Sequence, residues 1–432
     1  MIKSAVKKGW WRRIIRFFQR RQRLGDPLII PRARHTLSRA DIAPAALKVL
    51  YRLKEHGCQA YLVGGGVRDL LLGRKPKDFD VATDAHPETV RHIFRNSRII
   101  GRRFRLVHVV FQDEIVEVST FRANTVEEAK SEIVDLDVVE ELPQGMIRSD
   151  NTYGTIEEDA WRRDFTVNAL YYNIQDFSVE DYTGGMLDLK DRIIRMIGDP
   201  VQRFHEDPGR LLRAIRLAAK LQFTLEPKLE QALRRLTNLL AHIPKARLFD
   251  EILKLFFEGN AEASYEWLCS TGYWAYLFPH TEPNALIMHA MQSTDQRIAE
   301  GKTVNPAFLL AVIGWSMVQA KLSELQHQGN RAQFRLLCES IRLSLSELQT
   351  ILGTPKRFLL VIRSMWLMQH HLERCRPSRA LTIAKQRHFR ASYDFLVLRT
   401  LVGEVPESAA AFWTALQEVP PEVRGQWLRE RA

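Results

Sequence analysis

The residues with most chemistry to offer are Asp78 and Asp80, in the run Lys77-Asp78-Phe79-Asp80. Alternation along a strand predicts that both aspartates face one way and Phe79 the other, into a core. Two adjacent carboxylates repel unless a hard cation sits between them, and magnesium takes such oxygen ligands. The D-x-D pattern alone is ordinary surface sequence, so its context decides. Upstream, Gly64-Gly65-Gly66-Val67-Arg68-Asp69 follows the strand-like Tyr61-Leu62-Val63 and opens a helix-like stretch. Glycines at a strand-to-helix turn let backbone N–H groups approach a phosphate, and a helix N-terminus adds its positive dipole. Asp69 replaces the last glycine of the dinucleotide fingerprint, and the glycine run is not closed by the G-K-[ST] of a Walker A loop. A triphosphate cradle beside two carboxylates predicts nucleotidyl transfer with two magnesium ions. Glu117, in Ile115-Val116-Glu117-Val118, is expected to bring a third carboxylate from a neighbouring strand; the plain alternative is a charge on a strand surface.

These groups need a scaffold. YLVGG, KDFDVAT, LVHVVF, IVEVSTF and ALYYN, all before Tyr182, carry the β-branched and aromatic residues of strands. Ser38 to His56 has helical spacing ending at Gly57, and PETVRHIFR reads as a short helix. GDPLIIPRARH, closed by prolines, reads as a linker. Residues 123–152, polar and aperiodic, read as a long functional loop. Beyond Gly185 the strand signals fade, and most of the sequence to Gly403 has 3.6-residue periodicity. The fold expected is an α/β nucleotidyltransferase module followed by an all-α extension.

The 432 residues suggest roughly three domains. Sixty-three Lys and Arg against 51 Asp and Glu leave a formal charge of +12, which points to a polyanionic partner, nucleic acid before an anionic membrane surface. Four cysteines, none in a C-x-x-C pair, indicate neither a zinc cluster nor a disulfide framework and fit a reducing cytoplasm. The first 25 or so residues read as a basic amphipathic helix for RNA or a membrane surface, or as a poorly ordered leader. No small-residue cleavage site follows it, so a secretory signal is not expected.

Three motifs in order, GGGVRDLLLG with KDFD, RRDFTVNAL at 162–170 and EDPGRLLRAIRLA at 206–218, resemble the class II nucleotidyltransferases. That family comprises bacterial poly(A) polymerases and the tRNA CCA-adding enzymes, with a polymerase-β-like catalytic domain. The resemblance implies that Gly64, Gly65 and Arg68 hold the triphosphate of ATP and that Asp78 and Asp80 hold the metals. It implies that Arg163 supports the nucleotide and that Asp164 is a catalytic carboxylate; a helix N-cap before FTVNAL is the structural alternative for Asp164. Asp207 and Arg210 would read the base edge, accepting from an exocyclic amine and donating to a ring nitrogen. Adenine and cytosine present that edge, whereas guanine and uracil would leave buried groups unpaired. An Asp-Pro helix cap is the alternative here. Arg213 and Arg216 continue at three-residue spacing toward phosphate.

Ile99 to Val109 (IIGRRFRLVHV) resembles the signature that separates poly(A) polymerases from CCA-adding enzymes, and its Arg102, Arg103 and Arg105 are expected to touch RNA. KARLFDEILKLFFEG at 245–259 and FRASYDFLVLRTLVGE at 389–404 resemble poly(A) polymerases too. Such enzymes often end in a long arginine-rich tail, whereas this sequence closes on EVRGQWLRERA, so weaker RNA binding is expected. The resemblance implies a monomeric cytoplasmic enzyme adding AMP to RNA 3′ ends, with RNA-decay machinery as a partner. A CCA-adding enzyme and a non-catalytic RNA-binding protein are the alternatives. The organisation expected is a basic segment and linker at 1–42, a catalytic head at 43–185, a nucleotide-selecting neck at 186–275 and an all-α RNA-binding region at 276–432.

Overall fold

The computed structural model describes residues 27–101, 105–112, 114–123, 152–327 and 332–431. The basic N-terminal segment, Arg102, Arg103 and almost all of the loop read at 123–152 lie outside the described residues. The chain divides into two compact units. One runs to Arg210 and takes in Gln222–Leu236; the other comprises Leu211–Leu221 and the chain from Thr237 onward.

The first unit is built on eight strands: β1 (Leu28–Ile30), β2 (Ala60–Val63), β3 (Asp80–Thr83), β4 (Ser97–Ile100), β5 (Leu106–Val110), β6 (Ile115–Thr120), β7 (Leu170–Asn173) and β8 (Val179–Asp181). Their order is β1-β8-β7-β2-β3-β6-β5-β4. Only the central β3–β6 pair of this sheet is parallel. The stretch read as a linker supplies β1, because Leu28, Ile29 and Ile30 find an antiparallel partner in β8. A turn-rich composition with flanking prolines hid a three-residue edge strand. The expected strand KDFDVAT begins only at Asp80; Asp78 precedes it, exposed, and its carbonyl lies over Gly66.

Alternate residues of β2 and β3 are buried on both faces. The helix Pro44–Glu55 packs against both strands and buries Ala45, Ala46, Val49, Leu50 and Leu53. It starts later than the spacing from Ser38 predicted, because Pro44 is pre-shaped for the first helical turn and Arg39–Asp41 forms a 3₁₀ turn. The helix Ile156–Arg162 is closed by a reciprocal Thr155–Glu158 capping box. It drives Ala160 into a cluster with Tyr61, Val63, Ala82, Phe121 and Tyr171. Beyond Gly185 strand does not vanish: β9 (Ile193–Ile194) and β10 (Thr224–Leu225) make a short parallel pair.

The turn after Phe165 is held from below. The buried carboxylate of Asp181 accepts the N–H groups of Thr183, Gly184, Gly185 and Met186 at 2.8–3.1 Å, fixing the start of the helix Gly185–Asp191. That helix sends Asp188 to the Thr166 hydroxyl at 2.7 Å. A Cβ on Gly185 would lie 2.2 Å from the Thr166 carbonyl oxygen.

In the second unit the described elements are helical, as the periodicity predicted. Trp413, fully buried, donates its indole N–H to Leu372 O at 2.8 Å within a cluster that includes Phe389, Leu396 and Leu416. Trp366 likewise donates to Ala311 O at 2.8 Å, tying the helices Pro306–Ile313 and Lys356–Glu373. Among the described residues no single helix is long and apolar enough to cross a membrane.

The close approach at Gly185 yields a prediction. Gly185→Ala puts a methyl against a backbone oxygen that cannot rotate away, and overpacking of this kind costs about 3 kcal/mol. A thermal melt should show a clear loss; an unchanged midpoint would mean that the turn and helix are not held together there.

Candidate active site

Strand register assembles the site. Val63 of β2 pairs with Tyr171 of β7 on one side and Asp80 of β3 on the other. Asp80 pairs in turn with Glu117 of β6, and Glu117 with His108 of β5. Paired residues share a face of the sheet. One transverse row therefore reads Tyr171, Val63, Asp80, Glu117, His108, and the expected third carboxylate stands directly beside Asp80. His108 Nε2 lies 3.2 Å from the Glu117 carboxylate.

At the end of β2 the chain turns through Gly64 with φ 78° and ψ −143°, a conformation open only to glycine. A Cβ there would sit 3.5 Å from Asp80 Oδ2 and 3.9 Å from Arg163 Nη1. Gly64 thus floors a gap between a carboxylate and a guanidinium. Burial, then the charge of Glu117, push the Asp80 carboxyl up to about 6, with Arg163 pulling against them. Arg68 is nearly wholly buried: its Nε and Nη2 bond Asp69, at 2.8 and 2.7 Å, and its Nη1 reaches Asn168 at 2.5 Å. It ties the glycine turn to the turn after RRDF, a role that its spacing did not disclose.

Arg163 is held by a residue that the sequence reading passed over. Asp159, 0% exposed, receives Arg163 Nε and Nη2 on Oδ2 at 3.1 and 2.8 Å, Arg162 on Oδ1 at 3.0 Å, and the Tyr171 hydroxyl at 2.7 Å. Burial alone would raise this carboxyl; Arg163 and Arg162 overcome it and hold the group at about 2. The signal was present as Asp159 and Arg163 at i,i+4, a spacing equally common in exposed helical ion pairs. Asp164 follows, accepting the Phe165 N–H at 2.8 Å. The 3₁₀ turn Thr166–Asn168 has Phe165, not Asp164, as its N-cap, so Asp164 steadies the turn from one residue earlier than expected.

The segment expected to read the base edge is also tightly built. Arg203 Nη1 and Arg210 Nη1 meet on Glu206 Oε2, at 2.8 and 3.0 Å, and Arg210 Nη1 also donates to Arg203 O at 2.8 Å. Arg203 Nη2 bonds the carbonyl oxygens of Arg162 and Arg163, joining this segment to RRDF. Asp207 Oδ1 accepts the Gly209 N–H at 3.0 Å, a capping contact at the start of the helix Gly209–Leu221. Arg213 and Arg216 lie on that helix within the second unit, where Arg216 pairs with Glu258 at 3.3 Å. Arg105 pairs with Glu88 at 2.5 Å.

Among the described residues no three acid, histidine or cysteine side chains gather as a complete metal site. Magnesium does not require that: it is commonly held by one or two carboxylates plus substrate phosphates and water. Asp80, crowded by Asp78 and Glu117, offers that kind of donor set.

Sheet, glycine turn and acid pair define a nucleotidyltransferase of the polymerase-β-like fold. The family model described as "Poly A polymerase head domain" matches residues 60–195. Two others, "Probable RNA and SrmB- binding site of polymerase A" and "Polymerase A arginine-rich C-terminus", match 222–284 and 330–432. Poly(A) polymerase I of Salmonella typhi is 43% identical over 410 residues, 92% of this chain and 87% of that protein. A CCA-adding enzyme of Bacillus licheniformis is 38% identical over 232 residues, 54% of this chain and 55% of that protein. The crystal structure of the Bacillus stearothermophilus CCA-adding enzyme in complex with CTP has a TM-score of 0.54 at 27% identity, covering 90% of this chain and 82% of that one. The chain belongs to the bacterial poly(A) polymerase family, which are polynucleotide adenylyltransferases.

Asp159 supplies a test. Its folded pKa lies below the unfolded value of about 3.9, so its stabilisation is whole above that value and is lost as pH falls toward 2. Asp159→Asn should cost about 3 kcal/mol at neutral pH by leaving two arginines without their acid. It should also flatten the fall of stability between about pH 5 and pH 2. Melting curves across that range check both; a wild-type slope in the variant would put the titrating group elsewhere.

Proposed function

We propose that this chain adds AMP from ATP to RNA 3′ ends without a template, with Asp78 and Asp80 holding two magnesium ions and Glu117 beside them. The observation that carries the choice within the class is coverage: a poly(A) polymerase I aligns over 92% of the chain, a CCA-adding enzyme over 54%. When bound, magnesium would lower the pKa of the attacking hydroxyl and neutralise phosphate charge.

The chain's own residues do the rest. The turn at Gly64 and Gly65 lets backbone approach the triphosphate where a side chain would block it. Arg163, its Nε and Nη2 held by Asp159, keeps Nη1 toward the gap over Gly64 and offers a fixed positive charge to phosphate. Arg68 acts at one remove, locking the glycine turn to Asn168. Asp164 is the further carboxylate beside the nucleotide. Asp207 and Arg210 read the edge shared by adenine and cytosine, with Glu206 and Arg203 fixing the direction of Arg210. Arg213 and Arg216, with Arg102, Arg103 and Arg105, serve RNA or triphosphate phosphates. In this reading residues 43–185 are the head, 186–275 the neck and 276–432 the RNA-binding part of a monomeric cytoplasmic enzyme. RNA-decay factors are its protein partners, and the basic N-terminus meets RNA or a membrane surface.

Labelled ATP and CTP offered separately with generic RNA decide among the readings. Long AMP tails are expected; CMP addition confined to tRNA would make it a CCA-adding enzyme, and no addition a non-catalytic binder. Asp80→Asn, which keeps shape but removes charge, should lower AMP addition by about a hundredfold or more, several kcal/mol of transition-state stabilisation.

Asp207→Ala separates base reading from capping. Loss of the cap contact alone lowers stability by about 1 kcal/mol. If the carboxylate also reads the base, preference for ATP over UTP should fall by about tenfold, the worth of a hydrogen bond to a charged group. Single-nucleotide addition with each NTP, beside a melt, gives both numbers; an unchanged ratio would make Asp207 purely structural.

A further inference from the structure

A second surface, within the helical unit, has the makings of a nucleic-acid site. The helices Gln333–Leu352 and Lys356–Glu373 enclose an open groove of about 760 Å³. Four cationic side chains line it, Arg335, Arg342, Lys356 and Arg363, against one carboxylate, Glu339, which already pairs with Arg342 at 2.7 Å. Among the described residues no carboxylate pairs with Arg335, Lys356 or Arg363. The groove also exposes apolar surface: Leu360 is 68% and Phe334 43% exposed.

Phe334 is not isolated. Its ring centroid lies 5.3 Å from that of His370 and 6.1 Å from that of His371, so three rings cluster at one end of the groove. Burial, then the neighbouring arginines, lower the pKa of both histidines. Arg374, Arg376 and Arg379, all exposed, extend the positive field there.

We propose that this groove binds single-stranded RNA, its cations tracking phosphates and the Phe334 ring cluster stacking a base. The proposal rests on the functional reading above, in which RNA is the substrate, and adds where that substrate is gripped. A positive groove with aromatic platforms suits single strands of any sequence, because every base has a π-face. Other occupants fit less well. The chain's own N-terminal segment, MIKSAVKKGWWRRIIRFFQRRQR, carries the same sign of charge as the groove. A planar lipid surface cannot follow a concavity. An acidic polypeptide satisfies the cations but has no use for the ring cluster.

The experiment measures binding of a short 5′-labelled oligoadenylate to the full chain across a salt series. It compares wild type, the triple variant Arg335→Gln/Lys356→Gln/Arg363→Gln, and Phe334→Ala. For single strands each phosphate neutralised contributes about −0.7 to the slope of log affinity against log salt, so the triple variant should be shallower by about 2. Phe334→Ala should lose about fivefold or more in affinity with the slope unchanged, as expected for one stacked base. In both variants the KM for RNA should rise while kcat on saturating primer stays at the wild-type value. A wild-type slope in the triple variant, in a chain that binds and extends RNA normally, overturns the proposal and leaves the functional reading intact. Competition by polyglutamate as strong as by oligoadenylate of equal charge would assign the groove to acidic polypeptide and overturn it as well. A wild-type chain that neither binds nor extends RNA would overturn the functional reading, and the groove with it.

Discussion

The pairing register of five strands is the constraint on which the site depends. Tyr171, Val63, Asp80, Glu117 and His108 stand in one row only because β7, β2, β3, β6 and β5 are in register. Side chains alternate faces with period two, so a slip of one residue in β3 would carry Asp80 to the opposite side. The burial of both faces of β2 and β3 forbids that slip, since it would also put Val81 among the charges and a carboxylate into the core. The apolar residues between the functional ones are thus what keep the acids in place.

Register gathers acids, and acids gathered without relief repel. Two positive charges can answer from outside the sheet: Arg163, reaching the gap over Gly64, and, in the function proposed, a bound magnesium ion. Asp159 makes the first possible. An arginine flanking Asp80 without its own acid could swing onto that carboxylate and quench it. With Nε and Nη2 engaged by Asp159, only part of the guanidinium faces the gap. The guanidinium therefore stays beside Asp80 while its Nε and Nη2 remain with Asp159. Tyr171, completing the triangle through Asp159 and Arg163, belongs to the same transverse row as Asp80. Sheet and arginine are one mechanical assembly.

Much of this was legible because chemistry and periodicity coincide. Glycines before a helix, a D-x-D pair and β-branched runs are each ordinary alone, and it is their order along the chain that narrows their use. The supporting shell was less legible. Asp159, Asn168 and Arg203 act through contacts between segments distant in sequence or through spacings that surface pairs also show. Their types carry no mark of burial. β1 escaped because three apolar residues between prolines make a strand only when an edge such as β8 is free to receive them. Asp78 was read into a strand that starts two residues later, since hydrogen-bond pairing, not alternation, sets the boundary. The ring cluster around Phe334 joins two helices whose facing sides no single-helix pattern reveals.

The first unit is not contiguous in sequence. It takes in residues to Arg210, releases the chain for Leu211–Leu221, and recovers Gln222–Leu236. The recovered piece includes β10, the partner of β9, and the helix Pro227–Arg235, which packs against Pro200–Glu206. During synthesis, then, a nascent chain that has emerged only as far as Arg210 holds Asp78, Asp80, Glu117 and Asp164 yet lacks β10 and the helix that packs against Pro200–Glu206. Domains usually mature from the N-terminus as the ribosome delivers them. This one must wait for about 25 more residues, including a stretch belonging to its neighbour. A chain that ended before Gln222 would carry Asp78, Asp80 and Glu117 but lack β10 and the helix packed on Pro200–Glu206, so the first unit closes only after part of the second has been made.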